Sequence, residues 1–281
     1  MWQFLEILRI IRAANCLLAA VGVWIGAYLT ALTPTYYGPV VAGLAAFFVC
    51  AAGNIVNDLR DIESDRINHP DRVLVRGGLS VRYARNLAIG LNVVAVLMGL
   101  AVSWQLAVMA AATVGLLLLY NVSLKRVPLA GNALVALLAG LTFITGGLAV
   151  DPVLTFRLPG PLIACVYAFF LHLVREIVKD VQDIEGDRRL GITTLPQIIG
   201  ASKSLLLALG LFAVLVLLTL VPIAEGWFGR IYAVLAVYVV DLPLLALLIL
   251  LWGYPTPRLL RIVSAALKIG MAIGLVALLD L

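Results

Sequence analysis

The sequence predicts an all-α, polytopic membrane protein, a bundle of nine transmembrane helices, and three observations lead there. Mean hydropathy is +1.10, with 63% of residues hydrophobic and 12% charged, whereas soluble domains carry about a quarter charged residues. Apolar runs close to the length of helix that crosses a bilayer recur along most of the chain. Those runs lack the alternating pattern of a barrel strand.

Taken in order, the spans fall at about residues 13–32, 38–57, 84–102, 105–122, 129–149, 159–179, 203–223, 230–250 and 260–279. Met1 to Arg12 is amphipathic and basic, and the run after it is too long, and too poor in a small-residue cleavage site, for a signal peptide. It reads as a retained first span. Pro159 and Pro161 open the sixth span, where a missing amide hydrogen costs least. Gly22 and Gly26, and Gly131, Gly140, Gly146 and Gly147, are spaced for close helix contacts. Cys16, Cys50 and Cys165 lie within apolar runs, with neither disulfide nor metal-ligand spacing.

The net charge of +5 does not point to nucleic acid, because the basic residues sit in short loops and are interleaved with acids. Topology explains them. One set of loops holds Arg9, Arg12, Arg60, Arg66, Arg72, Arg76, Arg82, Arg85, Lys125, Arg126, Arg188, Arg189, Lys203, Arg258 and Arg261; the other holds Arg157 and Arg230. That asymmetry puts the amino terminus on the cytoplasmic side of a cell membrane and the carboxyl terminus outside.

Two acidic stretches stand at the cytoplasmic ends of spans two and six. Asn57-Asp58-Leu59-Arg60-Asp61-Ile62-Glu63-Ser64-Asp65-Arg66 is matched by Lys179-Asp180-Val181-Gln182-Asp183-Ile184-Glu185-Gly186-Asp187-Arg188 at a constant offset of 122. On a continuous helix Asn54, Asn57, Asp58, Asp61 and Asp65 share a face. The offset spans four helices and keeps orientation, so the chain reads as one transmembrane domain with parallel pseudo-repeats at about 13–125 and 129–250 plus a ninth helix. Converging carboxylates at a wet membrane surface need solvent or a divalent cation, and Mg²⁺ takes carboxylate oxygens and completes its shell with substrate phosphate. Arg72 and Arg76 could grip phosphate oxygens left over, and Lys125 with Arg126, just past Tyr120 and Asn121, forms another basic corner. A solvated, salt-bridged loop helix would explain one such stretch better than two in register. A membrane transporter could also use facing acids, but at the midplane. His69 reads as a loop residue and His172 as cavity-lining. Asp241 and Lys268 lie well inside apolar spans, so they are expected to pair or to share a polar cavity, with an acceptor-phosphate role for Lys268 as the alternative.

These motifs, Asn57-x3-Asp61-x3-Asp65 with Asn68-x-Pro70-x-Arg72-x3-Arg76-Gly77 and Asp180-x2-Asp183-x3-Asp187, resemble the UbiA superfamily of membrane prenyltransferases over essentially the whole chain. The resemblance implies Mg²⁺ ions that bind a prenyl diphosphate. It implies a metal set of Asn57, Asp58, Asp61, Asp65, Asp180, Asp183 and Asp187, of which Asp61, Asp65, Asp183 and Asp187 carry catalysis and Asp58 stands behind the others. Arg72, Arg76 and Lys125 match the diphosphate contacts, with Tyr120, Asn15 and Lys268 as further substrate-binding candidates. Tyr120 and Lys125 are five apart where some members have four, which leaves the role of Tyr120 open. Arg12-Ala13-Ala14-Asn15-Cys16-Leu17-Leu18-Ala19, Arg175-Glu176-Ile177-Val178-Lys179-Asp180 and Thr193-Thr194-Leu195-Pro196 look most like the digeranylgeranylglyceryl phosphate synthase branch. That implies geranylgeranyl transfer to geranylgeranylglyceryl phosphate among membrane lipids; an aromatic acceptor of quinone biosynthesis is the alternative.

Overall fold

An amphipathic helix α1 (Trp2–Ile10) turns sharply at Arg12, whose backbone is left-handed at φ 53°, into the first span, α2 (Ala13–Thr30). The computed structural model describes residues 2–31, 36–189, 191 and 193–281, the side chains of Trp2, Ser64, Ile67, Asn68, Arg126 and Arg189 excepted. The topology charges given to Arg126 and Arg189 fall on side chains outside those described, and the end of the first expected span at residue 32 lies outside the described residues. After α2 come α3 (Tyr37–Arg60), the short α4 (Ile62–Asn68), α5 (Val81–Val102), α6 (Trp104–Val122), α7 (Ala130–Leu148) and α8 (Pro161–Gln182). The short α9 (Ile184–Arg189) and α10 (Leu195–Ile199) lead to α11 (Ala201–Ala224). The eighth span joins α12 (Arg230–Tyr232), a π-helical segment over Ala233–Asp241 and α13 (Leu242–Gly253), and α14 (Pro257–Ala277) is the ninth. Nine helices among the described residues are long and apolar enough to cross a membrane, as expected. The second and sixth run about a turn beyond their expected ends, because hydropathy stops at the first charges while helical hydrogen bonding continues.

The chain divides into two compact units, residues 1–123 with 142–155, and residues 124–141 with 156–281. This division differs from the repeat boundaries read from the sequence, since α7 contributes to both. In the first unit α2 lies against the end of α7 at backbone distance. A Cβ on Gly26 would stand 2.0 Å from the Phe143 carbonyl oxygen, and one on Gly146 1.9 Å from that of Val23. Only glycine admits such an approach. Near the acidic stretch a second cluster of Ile10, Ile11, Cys16, Ile55, Val73, Leu74, Leu79 and Ala84 glues α1 and the loop after α4 to the ends of α3 and α5.

In the second unit α8, α11, α13 and α14 enclose Val174, Ile177, Val178, Leu205, Phe212, Leu248, Leu251, Val263 and Leu267. The π segment ends just before Pro243, which has no N–H to continue an α-helical ladder. Asp241, which closes it, does not pair with Lys268 as the sequence suggested. Its carboxylate is buried and accepts a hydrogen bond from Thr219 Oγ1, while Lys268 is exposed. Rotation about α14 decides this: Leu267 and Gly270 turn inward, Gly270 against Val240 and Leu244, so Lys268 faces away from the π segment.

Candidate active site

Each acidic stretch is a helix interrupted at one residue. Asp61 (φ −95°, ψ 3°) separates α3 from α4, and Asp183 (φ −98°, ψ 6°) separates α8 from α9. At both joints the ladder is kept through the bend: Asp61 N–H donates to Asn57 O at 3.0 Å and Asp65 N–H to Asp61 O at 2.8 Å, as Asp183 does to Lys179 at 2.9 Å and Asp187 to Asp183 at 3.0 Å. The helix is interrupted at Asp61, yet the first stretch still converges, since one Arg72 nitrogen reaches both Asp58 and Asp65 and Asn57 reaches Asp61.

The first stretch is already neutralised from within its unit. Asp58 Oδ1 accepts from Arg12 Nη2 at 2.6 Å and from Arg72 Nη1 at 2.9 Å, and the same Arg72 nitrogen reaches Asp65 Oδ2 at 2.8 Å. Asp58 and Asp65 are buried, and buried carboxylates require such partners. Asn57 Nδ2 donates to Asp61 Oδ2 at 3.1 Å, and Asn54 Nδ2 to the Ile11 carbonyl at 2.8 Å, which ties the Arg12 corner to α3. Asp58, placed among the metal residues on the sequence pattern, is here a carboxylate occupied by two guanidiniums.

Arg76 departs further from expectation. It is not at the acids; its guanidinium binds Glu6 of α1, and its Nε donates to the Asp71 carbonyl at 3.0 Å. Glu6 also accepts from Arg9 at 3.2 Å. The Arg76 guanidinium holds the Glu6 carboxyl below the usual carboxylate range, and Glu6 in turn raises Arg76. The loop after α4 thus sends Arg72 to the acids and Arg76 to α1.

In the second unit Asp180 accepts from Asn132 Nδ2 at 2.7 Å. Asp183 is exposed and Asp187 half-buried, and neither makes an ion pair among the described residues. Burial pushes the Asp187 carboxyl up, and the neighbouring Asp183 charge adds to it. Lys125 lies in a 3₁₀ turn over Leu124–Arg126, Tyr120 stands in the last turn of α6 and Asn15 is exposed in the first turn of α2. Glu6, Arg12 and Asn132 were not singled out as site residues by sequence, and Asn54, placed on the acidic face, turns to the Ile11 carbonyl instead. Arg12 had a signal, its place three residues before Asn15; Glu6 and Asn132 have none, since each acts across a contact distant in sequence.

No three His, Cys, Asp or Glu side chains among the described residues form a ready-made metal cluster. The donors nevertheless fit Mg²⁺: Asp61, Asp183 and Asp187 are hard carboxylates at helix joints, and Asp183 and Asp187 have mutual repulsion to be relieved. The model of the UbiA prenyltransferase family matches residues 15–278. The chain belongs to this family.

A digeranylgeranylglyceryl phosphate synthase of Methanopyrus kandleri is 38% identical over 97% of both chains, and one of Natronomonas pharaonis is 38% identical over 82% of both. A solved structure described as giving mechanistic insight into digeranylgeranylglyceryl phosphate synthase in membranes superposes with a TM-score of 0.85 at 31% identity, covering 99% of this chain and 98% of that one. A UbiA homolog from Archaeoglobus fulgidus bound to GPP and Mg²⁺ shares the fold at a TM-score of 0.66 and 21% identity, over 97% of this chain and 99% of that one. The all-α, multi-pass membrane reading and the prenyltransferase family are therefore established for this chain.

Proposed function

We propose that this protein transfers a geranylgeranyl group from geranylgeranyl diphosphate to the free hydroxyl of geranylgeranylglyceryl phosphate, forming the second ether bond of a lipid precursor, with Mg²⁺ as cofactor. The observation that carries the reading is 38% identity over 97% of both chains to a digeranylgeranylglyceryl phosphate synthase, together with two helix joints bearing carboxylates in register.

Asn57, Asp61, Asp65, Asp180, Asp183 and Asp187 would hold the metal, and the bound ion supplies positive charge that stabilises the diphosphate as it departs. Arg72 and Lys125 contribute cationic donors to the same leaving group, where charge develops most strongly as the allylic C–O bond breaks. Asp58 positions Arg72 together with Arg12: both are held on one of its oxygens, which leaves most of their N–H donors unused by these bonds. Arg76 acts through the loop it fastens to α1 and not by touching diphosphate. The apolar interior keeps water from the allylic carbon, so the lipid hydroxyl forms the new C–O bond. The hydroxyl proton passes to the departing diphosphate or a nearby carboxylate, and pyrophosphate leaves. The acidic stretches face the cytoplasm on the distribution of Lys and Arg.

The test offers purified protein geranylgeranyl diphosphate with either the lipid phosphate or a hydroxybenzoate or naphthoate, with and without Mg²⁺. Ether lipid product that requires Mg²⁺ is the expected result. Product from the aromatic acid alone would leave the prenyltransferase and remove the lipid acceptor.

A further inference from the structure

The last span carries polar groups without a side-chain partner among the described residues. On α14 the buried face is Leu260, Val263, Leu267 and Gly270. The face opposite presents Arg258, Arg261, Ala265, Lys268 and Ala272, all exposed, with Ser264 half-exposed at one border and the exposed Ile262 and Ile269 at the other. Arg261 and Lys268 are two turns apart, so they point within about 20° of each other on a helix of 3.6 residues per turn. Among the described residues none of Arg261, Ser264 and Lys268 makes a side-chain hydrogen bond or ion pair.

Depth makes this unusual. Counted from the start of the ninth span at about residue 260, Lys268 lies roughly 12 Å along α14 at 1.5 Å per residue, well inside a hydrocarbon core of about 30 Å. A four-carbon stem does not bring an ammonium from there to either interface, and an unpaired charge at that depth is costly. Pairing with Asp241, the ordinary remedy, is absent, because Asp241 bonds Thr219. Ala265 and Ala272 flank Lys268 with minimal side chains, which leaves room on this face for a ligand. The two spans between α8 and α14 return the chain to the end that carries Asp180, Asp183 and Asp187, so Arg261 is about one turn in from that end and Lys268 about three.

We infer that Arg261, Ser264 and Lys268 bind the phosphomonoester of the lipid acceptor, an inference that rests on the function proposed above. The chemistry matches: a phosphomonoester carries about −1.5 to −2 charges at neutral pH with three acceptor oxygens, and the face offers a guanidinium, a hydroxyl and an ammonium. An aromatic acid would need one cation. A lipid entering from the bilayer presents its headgroup at the shallow end of this face and is drawn along it, which delivers the adjacent hydroxyl into the apolar interior where the allylic carbon must lie.

The experiment uses the full-length protein with Lys268→Gln, Lys268→Arg and Arg261→Gln. Lys268→Gln should raise KM for geranylgeranylglyceryl phosphate about 10- to 100-fold, the range for one charged hydrogen bond, leave KM for geranylgeranyl diphosphate unchanged and be largely rescued by Lys268→Arg. With the dephosphorylated acceptor, geranylgeranylglycerol, wild type and Lys268→Gln should perform alike. Native mass spectrometry reads binding without turnover: wild type should retain the lipid phosphate and Lys268→Gln should lose it, and this arm decides the inference even if wild type proves to prenylate an aromatic acid, which would overturn only the acceptor reading. An unchanged acceptor KM with retained lipid, an equal penalty on the dephosphorylated acceptor, or equal retention of phosphatidylglycerol would each overturn the assignment.

Discussion

Asp58 offers the sharpest test of how this site is built, because the motif pattern makes it a metal residue and the geometry makes it the bracket for two arginines. Its side chain is 8% exposed and takes Arg12 and Arg72 on one oxygen, with those side chains 36% and 28% exposed. Breaking a buried pair by removing one partner costs about 3–5 kcal/mol, and solvent at the exposed ends of both arginines reduces this. Arg72 also keeps Asp65, so Asp58→Asn should destabilise the metal-free protein by about 1–3 kcal/mol. The buried and half-buried cysteines Cys16, Cys50 and Cys165 make a thiol-reactive dye a direct reporter of thermal unfolding in detergent.

Activity separates the two roles. If Asp58 aligns arginines, Asp58→Asn raises KM for the prenyl diphosphate about tenfold or more, through a less ordered Arg12 and Arg72, while the Mg²⁺ concentration for half-maximal pyrophosphate release shifts little. Arg12→Gln should reproduce much of that change, and adding it to Asp58→Asn should cost less than the sum. A Mg²⁺ requirement raised as strongly as in Asp61→Ala, with thermal stability untouched, would refute the bracket and restore Asp58 to the metal.

Other outcomes follow from the same geometry. Asp61→Ala and Asp183→Ala should each abolish turnover at saturating Mg²⁺ while keeping the fold, as read by thermal unfolding; near-normal activity in either would remove them from the site. Asp187 is pushed up from the ordinary carboxylate range by burial and by Asp183, so the folded state holds its proton more tightly than the unfolded one. Metal-free stability should then rise as pH falls from its folded towards its unfolded value, while Mg²⁺ affinity weakens; Asp187→Asn should flatten the stability dependence, and an unaltered pH profile of unfolding would contradict this. Gly146→Ala places a Cβ 1.9 Å from Val23 O and 2.7 Å from Ala27 N, which should cost about 1–3 kcal/mol in thermal denaturation. Single cysteines at Arg72 and Arg188 should be labelled from the cytoplasmic side of oriented vesicles and one at Leu281 from the other, the reverse pattern overturning the charge argument.

What could be read from the chain was whatever depends on local periodicity. Span length and the register of Asp61 with Asp183 are properties of short helical stretches, and the structure gives the two joints nearly the same dihedrals. Partners from distant parts of the chain could not be read: Glu6 takes Arg76 across 70 residues, Asp58 takes Arg12 across 46 and Asn132 serves Asp180 across 48. The expected Asp241–Lys268 pair failed for a related reason, since two polar residues at similar depth meet only if both helices are rotated towards each other, and side-chain packing at Gly270 sets that rotation.

The distant partners also break the symmetry that the sequence suggests. The first stretch brings guanidiniums to Asp58 and Asp65, whereas among the described residues the second brings a neutral amide to Asp180 and no ion pair to Asp183 or Asp187, with the Lys179 charge acting on Asp187 from a distance. Identical spacing therefore produces one stretch with its own cations and another that remains anionic. A diphosphate and a divalent ion impose opposite demands, the first for guanidinium donors and the second for uncompensated carboxylate oxygen. Residues outside the repeat, Arg12 and Arg72 in the first unit and Asn132 in the second, thus give two stretches of identical spacing different surroundings.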